Sequence, residues 1–82
     1  MLKITDVNIA DIYAPTARKK ELDQSKVDAI TEEMMDDTEG KPIRVRKGDG
    51  RFVLLEGMNR LEAAKALGEK TIGAYIVQAQ KF

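Results

Sequence analysis

A small α+β domain, a mixed sheet with two main helices, is the fold class this sequence predicts, and three patterns carry the prediction. Residues 42–47 and 51–55 alternate or run apolar on either side of Gly48-Asp49-Gly50, the signature of two strands joined by a tight turn. Val27, Ile30 and Met34 fall at i, i+3 and i+7, the period of an amphipathic helix. Val53-Leu54-Leu55 then passes through Gly57 into a second helical period at Leu61, Ala64 and Leu67. Strands and helices interleave without internal repeats, which favours helices packed on a mixed sheet.

Eighty-two residues make one domain, 1–82, with a small core. Hydrophobic residues at 43% against 34% charged mark a globular rather than a disordered chain. Cysteine and histidine are both absent. That removes disulfides, thiolate or imidazole metal sites, and Ser-His-Asp or Cys-His catalysis. No dedicated metal site is expected; a metal would be a hard cation such as Mg²⁺ arriving with a nucleotide. No apolar run reaches the roughly 20 residues that span a bilayer, and the N-terminus lacks a signal-peptide pattern, so a cytoplasmic protein without membrane contact is expected. Fourteen basic and fourteen acidic residues cancel, so any grip on nucleic acid must come from a local patch.

In chain order, Leu2-Lys3-Ile4 reads as a short strand and Val7, Ile9 and Ile12 as a second extended segment. Residues 14–21 carry Pro15 and no apolar period, and read as an exposed loop bearing Arg18, Lys19 and Lys20. The first helix follows, with Asp23 or Ser25 as its cap and an acidic outer face; Asp36 to Glu39 reads as loop, closed by Gly40 and Pro42. Then come the two strands, the second helix ending at Gly68, and a last strand over 71–77.

The junction at Gly57-Met58-Asn59-Arg60 is built like an anion site. The first N–H groups of a helix lack internal partners and carry the positive end of the macrodipole. Glycine admits a close backbone approach by a ligand oxygen, and the Arg60 guanidinium can fork onto phosphate. The plainer alternative pairs Arg60 with Glu56 or Glu62, and lets Asn59 cap the helix. Met58, Met34 and Met35 suit core filling. Arg44 and Arg46 alternate outward near Lys41, Lys47 and Arg51, giving a basic edge or face that offsets the acidic helix.

Taken together, residues 22–27, Lys41-Pro42-Ile43-Arg44-Val45, 52–64, Leu67-Gly68 and 71–77 resemble the ParB/sulfiredoxin superfamily over almost the whole chain. The resemblance implies an α+β fold that binds a nucleoside triphosphate, ATP or another, with its phosphates at Gly57, Met58, Asn59 and Arg60. It implies further phosphate contacts from Lys26 and, from the preceding loop, Arg18. Glu56 stands where some relatives carry an acid, which makes it the candidate for holding Mg²⁺ or taking a proton. Met58 occupies the place of the sulfiredoxin cysteine, so cysteine-dependent sulfinic acid reduction is not expected. Two phosphate-holding hydroxyl positions of sulfiredoxin correspond to Ala29 and Glu33. The further arginine box, helix-turn-helix and dimerisation segment of ParB are not in this chain, so a complete ParB clamp is not expected either.

The expected function is therefore nucleotide phosphate binding, with weak hydrolysis left open. The alternatives are a DNA-binding or ParB-like nuclease domain, suggested by residues 18–20 and 41–51, and a non-catalytic module acting through a protein partner or a homodimer.

Overall fold

The computed structural model describes residues 3–36 and 41–77. Five strands form a single mixed sheet: β1 (Ile4–Asn8), β2 (Ile12–Tyr13), β3 (Ile43–Lys47), β4 (Phe52–Glu56) and β5 (Thr71–Val77). Three helices accompany them: α1 (Thr16–Lys19), α2 (Gln24–Asp36) and α3 (Met58–Ala66). The strand order is β1-β5-β3-β4-β2, with β3 antiparallel to β4 and parallel to β5.

The hairpin forms as the pattern demands. Gly50 takes a positive φ of 73° at the turn, and the Gly48 N–H donates to the Arg51 carbonyl at 2.7 Å. Ile43 and Val45 point inward at 1% and 0% exposure, while Arg44 and Arg46 point out. Leu54 from β4, Ile72 and Ala74 from β5, and Met58, Leu61 and Ala64 from α3 complete the core with Val7 and Ile9. Leu67, expected inside, is only half buried because it already caps α3, and Gly68 at φ 75° turns the chain into β5.

Several expectations are corrected. The first strand is not 2–4 but Ile4–Asn8, and Leu2 lies outside the described residues. Its polar Thr5, Asp6 and Asn8 hid it; pairing with β5 in the register Ile4 to Tyr75 through Asn8 to Thr71 overrides their weak strand preference. The expected extended segment at Val7, Ile9 and Ile12 is divided among the end of β1, a single 3₁₀ turn at Ile9–Asp11 and β2. Residues 16–19 are not loop but α1. Pro15 precedes it with its carbonyl accepting from Arg18 and Lys19, and good helix formers follow.

Helix α2 extends through Asp36, and residues 37–40, expected as loop, lie outside the described residues. It packs along α3, and its Met34 reaches the core cluster that the sheet and α3 share. Strand β3 lies inside the sheet, so its arginines form a face and not an edge. Among the described residues no helix is long and apolar enough to cross a membrane.

Candidate anion-binding ledge at the start of helix α3

Strand β4 ends at Glu56, and Gly57 converts strand into helix through a left-handed conformation, φ 106° and ψ 33°. A Cβ here would sit 2.6 Å from Ile43 Cγ2 and 2.9 Å from Ile43 Cβ. The expectation that the missing side chain leaves room for a ligand is thus corrected on that side: Ile43 of β3 fills it. Glycine is required by the fold alone.

With Gly57 as N-cap, no side chain caps α3. The first helical N–H with a carbonyl partner is that of Leu61, which donates to Gly57 O at 2.9 Å. Met58, Asn59 and Arg60 therefore present the orphan donors of the first turn, at the positive end of the helix dipole. The Met58 side chain is 6% exposed and belongs to the core, so only its backbone can serve a ligand. Arg60 is half buried. Neither expected acidic partner engages it: Glu56 faces Arg44 across the hairpin at 3.8 Å, and Glu62 faces Lys65 at 3.9 Å. Among the described residues Arg60 has no ion-pair partner.

Asn59 does not cap its own helix. Its Oδ1 accepts the Asp23 N–H at 2.8 Å, and its Nδ2 reaches the Glu21 carbonyl at 3.5 Å. This bridge ties the first turn of α3 to the chain that opens α2, and nothing in the sequence pattern announced it. Asp23 is the cap of α2: its Oδ1 accepts from Ser25 N at 3.0 Å and Ser25 Oγ at 2.7 Å. Those hydrogen bonds from Ser25, helped by Lys26, hold the Asp23 carboxyl below the usual carboxylate range. The α2 N-terminus thus already has its anion, while that of α3 has none from its own cap. Lys26 stands exposed in the first turn of α2, two residues beyond Gln24.

Arg18, expected to reach a phosphate from a loop, is engaged within the fold. Its guanidinium donates through Nη1 to Leu55 O at 3.1 Å and pairs with Glu21 at 3.0 Å. Leu55 lies past the two β4 residues that β2 pairs, so Arg18 satisfies a carbonyl that the sheet leaves open. Glu56, immediately before the ledge, is an exposed carboxylate with 73% of its side-chain surface free. A shallow depression of about 200 Å³ lined by Asp11, Lys47, Arg51 and Phe52 lies at the other end of β4, away from Gly57.

A five-stranded mixed sheet with three helices that turns a strand through a left-handed glycine onto an uncapped helix, with an arginine in that turn, defines a sulfiredoxin-like α+β fold. Comparison with known proteins narrows the class. The chain belongs to the ParB N-terminal domain family, which it matches over residues 1–81. It is 37% identical over 62 residues to the probable chromosome-partitioning protein ParB of Campylobacter jejuni, covering 76% of this chain and 22% of that protein. The chain thus spans about a fifth of the length of that relative.

Among solved structures it is similar to sulfiredoxin from Arabidopsis thaliana, with a TM-score of 0.82 and 28% identity over 94% of this chain and 86% of that one. It is also similar in fold to the C-terminally truncated chromosome-partitioning protein ParB of Caulobacter crescentus, solved with CTP-γ-S. There the TM-score is 0.77 at 17% identity, over 96% of this chain and 46% of the other.

Proposed function

We propose that this domain binds the phosphates of a nucleotide on the first turn of α3, through the N–H groups of Met58, Asn59 and Arg60 and the guanidinium of Arg60. The observation that carries the reading is the pairing of an uncapped helix start with a half-buried arginine lacking an ion-pair partner among the described residues. A cation in the first turn of a helix is opposed by the dipole, and a bound anion relieves that opposition. The Caulobacter ParB of the same fold is a protein solved with a nucleotide analogue, which supports the choice of ligand class.

Lys26 is the second cation of this reading, supplied from α2. Its helix is held to the ledge by Asn59, so binding needs no large rearrangement to bring the two helix starts together. Arg18 acts here through the backbone it holds: by fixing Leu55 O it steadies the end of β4 just before the turn. Mg²⁺ would travel on the nucleotide's own phosphates.

Turnover is the finer part of the proposal. Glu56 directly precedes the ledge, and its exposed carboxylate is the candidate base for a water or hydroxyl attacking the terminal phosphate. Thiol chemistry is outside the repertoire of a chain without cysteine.

Calorimetric titration with CTP and ATP in the presence of Mg²⁺ tests the binding. A charge-assisted hydrogen bond contributes about 1.5–3 kcal/mol, so Arg60→Ala is expected to weaken nucleotide binding by roughly ten- to a hundredfold with the fold retained. An Arg60→Ala protein that binds as tightly as its parent removes Arg60 from the site. Phosphate release by Glu56→Gln, compared with its parent, tests the base separately.

A further inference from the structure

Two exposed surfaces of the molecule carry opposite chemistry. Helix α2 packs along α3, and its solvent side shows Asp28, Glu32 and Glu33 with Met35 67% exposed. Asp28, Glu32 and Met35 fall at i, i+4 and i+7 and share one stripe.

The sheet face turned away from α3 carries Arg44 beside Tyr75, and Arg46 between the buried Val53 and the half-buried Val77. Ile4, 59% exposed, extends the first row from β1, and Tyr13 extends the second from β2. Arg51 lies over the Tyr13 ring, 4.2 Å from its centroid. Among the described residues Asp6 and Glu56 are the acids at this face, and Glu56 already stands opposite Arg44.

We propose that this chain associates with a second copy of itself head to tail, the acidic stripe of α2 in one copy seating on the Arg44/Arg46 sheet face of the next. The faces complement each other in charge and in apolar content: carboxylates meet guanidinium groups, and the Met35 thioether meets a surface with two tyrosines. The formal net charge of zero means that no whole-molecule repulsion opposes the approach. Strand pairing cannot supply the contact at β3, which is interior, so the union is helix on sheet face. The two patches differ, so the contact is heterologous and leaves one of each exposed at the ends of the assembly. Neither patch includes residues 57–60, and the inference stands independently of nucleotide binding.

Sedimentation equilibrium on the full chain decides it. At low salt and protein concentrations up to about 1 mM, the range a weak surface contact requires, the average mass is expected to climb above the 9.2 kDa monomer. About 0.5 M NaCl should return it to the monomer, because exposed ion pairs are screened.

Two charge-reversed proteins, Arg44→Glu with Arg46→Glu and Glu32→Lys with Glu33→Lys, should each be monomeric alone and associate again when mixed. A monomer at every concentration and salt overturns the proposal, and this salt series needs no variant to fold. Association that survives either reversal, a mixture that stays monomeric, or an oligonucleotide taking the arginine face of a chain that remains monomeric would overturn it equally.

Discussion

A methyl group on Gly57 would lie 2.6 Å from Ile43 Cγ2, closer than carbon atoms tolerate, on a backbone whose φ of 106° already suits glycine. Gly57→Ala is therefore expected to lower stability by about 2–4 kcal/mol, from the wrong backbone region and the overpacked contact together. Urea denaturation followed by circular dichroism reads this directly, with or without nucleotide. The same residue shows why a glycine before a helix is weak evidence of a ligand: packing explains it fully. Arg60 is the discriminating residue, because neither acid the sequence offered as its partner engages it. Glu56 faces Arg44 instead, a cross-strand pairing set by the hairpin register and invisible to neighbour counting along the chain.

Two helix starts that sit together divide their roles. Helix α2 is capped from within by Asp23, whose carboxylate is stabilised by the Ser25 hydrogen bonds, while α3 keeps its first turn open. The Asp23 carboxyl titrates lower in the folded chain than in the unfolded one. Its contribution to stability is therefore complete above the usual carboxylate range and is lost as pH falls through its folded pKa. Urea midpoints measured from neutral to acid pH should show this loss in the parent, and Asp23→Asn should lose less on acidification.

Asn59 is the link between the two helices, and Asn59→Ala removes the acceptor of the Asp23 N–H. A cost of about 1 kcal/mol is expected, smaller than for a buried bond because water can reach the freed group. Faster hydrogen exchange at the Asp23 amide would locate the loss. A stability and exchange pattern equal to the parent's would show that the bridge is unimportant.

At the scale of the molecule, legibility in the sequence followed the range of the forces involved. The hairpin, α2, α3 and β5 were readable because turn chemistry and period-specific burial act within a few residues, and Gly48-Asp49-Gly50 or Val27, Ile30 and Met34 state them locally. Strand β1 and helix α1 were misread because their stability is borrowed: β1 from pairing with β5, and α1 from Arg18 reaching Leu55 O, 37 positions away. The ledge at 57–60 was legible as a strand-glycine-helix junction, but its connection to α2 through Asn59 was not. Asparagine carries no periodicity, and its partners lie 36 and 38 residues distant.

Family membership over residues 1–81 and the shared fold place the open helix start in a scaffold similar to that of a ParB solved with CTP-γ-S. Amide chemical-shift mapping with Mg²⁺ and CTP or ATP is the most direct test of the phosphate ledge. The prediction is saturable shifts centred on Gly57, Met58, Asn59 and Arg60, with a weaker response at Lys26. Unmoved amides at 57–60 with either nucleotide at about 1 mM, a concentration that detects even weak binding, would contradict it.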